Sequence, residues 1–153
     1  MRVMKKEQGI LNRILGTGND SKMIIIRIIV GLIFISEGLL KYKQAQWLGP
    51  GRFSEIGFSH PFFWAYLTGA IEIFFGILVF LGFLTRISSI PLLIIMVTAF
   101  ISTKMPLIAD RGIWTFMHEY TTDFALSLLL ILILIHGGGK WSFDTRLFAA
   151  GKP

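Results

Sequence analysis

The sequence predicts an all-α integral membrane protein: a four-helix transmembrane bundle with both termini on the cytoplasmic side. Three observations carry this reading. The 153 residues are 54% hydrophobic, with 14 phenylalanines and a mean hydropathy of +0.68, well outside the range of a soluble domain. The apolar residues gather into four runs, each long enough to cross a hydrocarbon core of about 30 Å. The basic residues flank those runs instead of interrupting them.

The clearest run is Pro61 to Leu84, PFFWAYLTGAIEIFFGILVFLGFL, which places one carboxylate, Glu72, almost at its midpoint. An acid at the centre of a membrane helix costs on the order of 3 kcal/mol, and each Leu, Ile, Phe or Val returns about 0.3 to 0.6. The run holds 14 of those residues, so it inserts despite the charge. Gly69, Glu72, Gly76, Val79 and Phe83 share one helix face, and two glycines on that face invite close approach by another helix. Glu72 is therefore expected to face the bundle interior, either as a structural acid bonded to a neighbouring helix or as a functional one.

The chain divides into a basic N-terminal segment, residues 1–22, a membrane domain, residues 23–138, and a C-terminal tail, residues 139–153. The first segment carries Arg2, Lys5, Lys6, Arg13 and Lys22, with Ile10, Leu11, Ile14 and Leu15 forming a short amphipathic turn. It lacks a small-x-small cleavage site and is expected to remain as a cytoplasmic segment along the membrane surface. Span one covers about residues 23–41, with Arg27 one turn inside its start and Glu37 one turn before its end, both within snorkelling reach of an interface. Arg27, Gly31, Phe34, Gly38 and Lys41 share a face.

Residues 42–60 read as an ordered loop, with Trp47 and Phe53 near the interface. Span two, about residues 61–85, leads almost directly into span three, about residues 87–108, so the two form a tight antiparallel hairpin. Span three has a mildly polar side of Ser88, Pro91, Thr98 and Ser102, more typical of helix packing than of a pore. A loop with Asp110, Arg111 and Trp114 precedes span four, about residues 120–137, where Glu119, Asp123 and Ser127 stack.

Orientation follows from a count. With the N-terminus inside, ten basic residues lie on cytoplasmic segments and five outside: Lys41, Lys43, Arg52, Lys104 and Arg111. Glu37, Lys41, Lys104, His118, Glu119 and Asp123 then gather at the outer side and Arg27, Arg86 and His136 at the inner, with Glu72 between. If its members face one another, the outer group forms a polar cavity open to the outer face and floored by Glu72. Lys41, Trp47, Arg52 and His60 are echoed by Lys104, Trp114, Arg111 and His118, a faint internal repeat.

Several chemistries are excluded. Without cysteine the chain has no thiolate nucleophile, disulfide exchange, iron–sulfur cluster or cysteine zinc site. The net charge of +6 belongs to membrane flanks, so nucleic acid is not an expected partner. His60, His118 and His136 lack the i, i+4 spacing of a metal pair, so no metal site is assigned. Four helices enclose little volume for a transport path in a single copy, so transport is left as a reading for an oligomer alone.

An arginine near the start of span one with GLLK at its end, EIFFGILVFLGFLTR from Glu72 to Arg86, and GGGKWSFD from Gly137 to Asp144 together resemble the DoxX family of small four-helix bacterial membrane proteins. The matching positions are Arg27, Gly31, Gly38, Lys41, Glu72, Gly76, Gly82, Arg86, Gly137, Gly139, Ser142 and Asp144. The resemblance implies a multi-pass protein of the bacterial inner membrane. It also implies a role as membrane component of a respiratory or sulfur-redox system linked to quinone, with no cofactor resident on this chain. The alternative is a non-catalytic accessory or scaffold subunit of a larger complex. Expected partners are the lipid bilayer and other membrane subunits or further copies of the chain. Under the redox reading Glu72 is the proton-exchanging acid, with Glu37 and Asp123 as secondary acids. Lys41, Lys104, Arg27 and Arg86 are the anion-binding candidates, and Phe62, Trp64, Phe74 and Phe75 would supply an apolar wall.

Overall fold

A computed structural model describes residues 20–148, all helices and turns with no strand among them. The amphipathic turn expected within residues 1–22 and the distal end of the tail lie outside the described residues. Helix α1 is Met23–Lys43 and α2 is the short Pro50–Glu55, started by its own proline at the first turn. Helix α3 is Pro61–Leu81, α4 is Thr85–Ala99, a π-helical turn occupies Phe100–Lys104, α5 is Met105–His136, and α6 is Phe143–Phe148. Three stretches are long and apolar enough to cross a membrane: Met23–Lys43, Pro61–Leu81 and Thr85–His136.

The third stretch, 52 residues long, would reach roughly 78 Å if straight, more than twice the hydrocarbon thickness. It breaks instead at Gly112, whose φ of 80° and ψ of 169° are open to glycine and essentially closed to other residues. The chain folds back there. Leu92 of α4 shares a buried cluster with Leu126, Leu130 and Ile133 of α5, and the Phe100 ring lies 4.8 Å from that of Tyr120. The loop expected after span three is thus helix on both sides of a single reversing residue.

Helices α1 and α3 pack antiparallel and closer than side chains allow. A Cβ on Gly38 would sit 2.7 Å from the Gly69 carbonyl oxygen, and one on Gly31 would sit 2.9 Å from that of Gly76. Within lipid no hydrophobic force draws helices together, so this contact area supplies dispersion that larger residues would forfeit. Met23, Val30, Phe34 and Val79 complete the core against α4 and α5. Helix α3 ends four residues earlier than span two was expected to: Gly82 turns left-handed (φ 77°), Leu84 follows at φ 48°, and α4 starts at Thr85. Residues 42–60 likewise contain a helix where the sequence suggested only loop.

Gly38→Ala should therefore lower stability by about 1 to 3 kcal/mol, read as an earlier unfolding transition in detergent. Ile94→Ala, on a side chain facing outward, should move it far less. Equal effects would mean that the α1–α3 contact does not set the bundle.

Candidate functional site

Lysines near the ends of membrane helices normally extend outward to water. Lys41 does the reverse. Its Cβ rests beside Gly69, and its Nζ donates to Glu72 Oε2 at 2.6 Å. Two features permit this. Side chains on a helix lean toward its N-terminus, which for α1 is toward the bundle centre, and Gly69 leaves the path open. Glu72 is 2% exposed and Lys41 is largely buried, so the pair lies in a medium where either charge alone would be costly. Tyr42 covers the same end of the contact. Its ring stacks on Tyr66 at 5.0 Å, and its hydroxyl donates to the Tyr66 carbonyl at 2.7 Å.

The other hairpin carries a looser counterpart. Lys104 Nζ lies 3.5 Å from Glu119 Oε2 and 3.6 Å from Asp123 Oδ2, and donates to the Glu119 carbonyl at 3.0 Å. Each hairpin is thus fastened by a lysine from its first helix onto acid from its second, which gives the faint Lys41/Lys104 repeat a physical content. Among the described residues no ion pair joins the two sets, and Glu37 and Glu119 are exposed. Charges in a poor dielectric pair with the nearest opposite charge before they line open space.

At the opposite end the residues following α5 fold back beneath the bundle. Arg27, expected to snorkel, is 1% exposed, and its Nη2 donates to the Trp141 carbonyl at 2.8 Å. Gly82 is required here, because a Cβ would fall 1.7 Å from Arg27 Nη1. Asp144 accepts from the backbone N–H groups of Leu84 (2.6 Å) and Thr85 (2.9 Å) and from Thr85 Oγ1 (2.7 Å), capping α4 with charge at its positive end. Its own N–H donates to the Gly82 carbonyl at 3.0 Å. Ser142 Oγ donates to the Gly139 carbonyl at 2.8 Å. Arg86 is half-buried at the start of α4, where its carbonyl accepts from Ser89 Oγ.

The structure therefore separates the proposed residues. Glu72 and Lys41 meet, and Lys104 and Asp123 meet, while Glu37 is exposed on α1. Arg27 and Arg86 belong to the far end, roughly 20 Å along α1 from Lys41. His60, His118 and His136 do not come together, and no group of three metal-ligating side chains forms among the described residues. Thr85 and the Trp141 carbonyl were not singled out in the sequence. The signal was present in part: an arginine one turn inside a span needs carbonyl or carboxylate acceptors, and GGGKWSFD supplies both.

Comparison with known proteins places these features in context. The DoxX family model matches residues 22–105. An uncharacterized membrane protein of Mycobacterium tuberculosis is 43% identical over 141 residues, covering 88% of this chain and 86% of the relative. A Bacillus subtilis protein named "Putative oxidoreductase CatD" is 31% identical over 130 residues, covering 84% and 89%. An uncharacterized protein of Haemophilus influenzae is 28% identical over 141 residues, covering 86% and 87%. No solved structure matches.

Two stability measurements separate the roles of these groups. Lys41→Met, which strands a buried carboxylate, should cost about 3 kcal/mol, and Lys41→Met with Glu72→Leu should recover most of it; failure of the double variant to recover would mean that the charges do more than neutralise each other. Asp144→Ala should cost about 2 kcal/mol by uncapping α4, seen as a lower melting temperature in detergent, and an unchanged melting temperature would show the cap to be dispensable.

Proposed function

This chain belongs to the DoxX family, and from that premise we propose that it is an integral membrane component of a quinone-linked respiratory or sulfur-redox system in the bacterial inner membrane. It crosses the bilayer four times, with Gly112 reversing the third stretch, and keeps both termini in the cytoplasm, as the basic residues favour. The observation that carries the redox reading is the inward-reaching Lys41 and its partner Glu72. An ion pair retained at membrane depth is expensive, and intramembrane ionisable groups commonly serve proton or substrate paths. The Bacillus relative's name points to the same class of chemistry.

The residues at this end suit a quinone headgroup. Lys41 offers a cationic donor, Glu72 a proton acceptor, and Tyr42 with Tyr66 an aromatic flank. A quinone supplies two-electron chemistry in which protons accompany electrons. The chain's part is to orient the headgroup with Lys41 and to hold or release the proton at a Glu72 carboxylate oxygen. Lys104 and Asp123 form the second polar station, and Glu37, exposed one helical turn before Lys41, is the further acid on α1. The accessory-subunit reading anticipates glycine or aromatic stripes that face lipid and are buried only against a partner. Gly31, Gly38, Gly69 and Gly76 are consumed between α1 and α3, whereas Phe62, Phe63, Trp64 and Phe74 are exposed on α3 and supply the aromatic stripe of that second reading.

Gentle extraction of the tagged protein with quantification of bound quinone tests the proposal. Stoichiometric quinone is expected on the wild type, with at least roughly tenfold less on Glu72→Gln, the equivalent of about 1.4 kcal/mol. Glutamine keeps a hydrogen-bond acceptor for Lys41, so the variant should still fold. Absence of quinone together with a fixed set of larger membrane subunits would favour the accessory role. A reporter fused after Pro153 should be active in the cytoplasm alone, and a periplasmic signal would overturn the four-crossing topology.

A further inference from the structure

The closing segment, residues 137–148, is polar on its inside and apolar on its outside. Ser142 and Asp144 are buried, held by the hydrogen bonds described above. Trp141, Phe143 and Leu147, interleaved with them, are 63%, 48% and 56% exposed. Water selects the opposite arrangement. The segment is also fixed in height. It leaves α5 at Gly137, is bonded to Arg27 one turn inside α1, and donates from the Lys140 N–H to the Asp20 carbonyl just before that helix. It therefore sits where hydrocarbon gives way to headgroups, the level at which tryptophan is favoured.

Charge identifies what covers it. Lys140 and Arg146 are exposed beside the apolar side chains, and the one acid in the segment, Asp144, is turned inward and engaged with Leu84 and Thr85. The outer face is thus apolar and purely cationic.

We propose that the outer face of residues 137–148 is a binding surface for anionic phospholipid, with Trp141, Phe143 and Leu147 entering the headgroup–acyl boundary and Lys140 and Arg146 holding the headgroups. The segment is an interfacial anchor and not a free cytoplasmic tail. Because its inner face supplies the acceptor for Arg27 and the cap of α4, lipid engagement bears on the element that closes the bundle. The proposal is independent of the redox reading, since it uses neither Lys41 nor Glu72.

The chain has no cysteine, so Leu147→Cys gives a unique attachment point for an environment-sensitive fluorophore. The full chain carrying it is reconstituted into phosphatidylcholine vesicles with and without phosphatidylglycerol. Nitroxide lipids labelled near the headgroup should quench the probe strongly, and aqueous iodide should quench it several-fold less than in the denatured protein, most of all with phosphatidylglycerol present. Lys140→Glu with Arg146→Glu should remove roughly tenfold or more of that preference for anionic vesicles. Quenching by iodide alone would overturn the proposal, as would a probe shielded from both quenchers, which would indicate a protein neighbour. Indifference to phosphatidylglycerol would overturn the headgroup assignment. If the labelled variant does not reconstitute, quenching of Trp141 by brominated lipids, in a chain with Trp47, Trp64 and Trp114 replaced by Phe, gives the same readout.

Discussion

The approach of α1 to α3 across Gly31, Gly38, Gly69 and Gly76 is the constraint on which the rest of the bundle depends. Backbone carbonyls stand where side chains would otherwise hold the helices apart. That spacing brings Lys41 within reach of Glu72, and it fixes their depth by the register that sets Gly38 against Gly69 and Gly31 against Gly76. A lysine directed toward the bilayer centre would be unstable alone, and so would the carboxylate that receives it. Close packing makes the pair affordable, and the pair in turn penalises any slip of one helix along the other.

At the other end the same helices are closed by polar contacts instead of close packing. Arg27 is buried because the chain returns after α5 to offer it the Trp141 carbonyl, and Gly82 is left-handed and without a side chain in the space Arg27 fills. Leu84, strained at positive φ, is held there by the Asp144 carboxylate on its N–H. Nine of the twelve positions that resemble the family pattern thus fall into two groups with distinct physical work. Gly31, Gly38, Lys41, Glu72 and Gly76 join α1 to α3. Arg27, Gly82, Ser142 and Asp144 close the opposite end.

The two hairpins use one device with different tightness. Lys41 and Glu72 meet at 2.6 Å with little exposure, whereas Lys104 stands 3.5 and 3.6 Å from acids that are partly open to the surroundings. The π-helical turn at Phe100–Lys104 and the hydroxyls of Ser102 and Thr103, bonded back to Thr98 and Ala99, loosen the helix that presents Lys104. The first pair is buried between close-packed helices, and the second starts from the last residue of a π-helical turn.

Much of this was legible in the chain alone. The apolar runs determined helices and their insertion, because hydrocarbon tolerates no unpaired backbone polar groups. The i, i+3, i+7 spacing of Gly69, Glu72 and Gly76 determined which face of α3 turns inward, because helical periodicity is local. Tertiary structure decided the partners. Lys41 had several acids within plausible range, and the choice of Glu72 rests on the α1–α3 register and on the room left by Gly69. Lys104 likewise had several acids in range, and its pairing with Glu119 and Asp123 rests on the fold-back of α5. Arg27 looked like an interfacial anchor until residues more than a hundred positions away covered it, and no local pattern in the chain shows that the C-terminal tail returns to do so. The reversal at Gly112 was hidden as well: a glycine can continue, bend or reverse a helix, and which of these it does depends on whether the two arms find a core to share, here through Leu92, Leu126, Leu130 and Ile133.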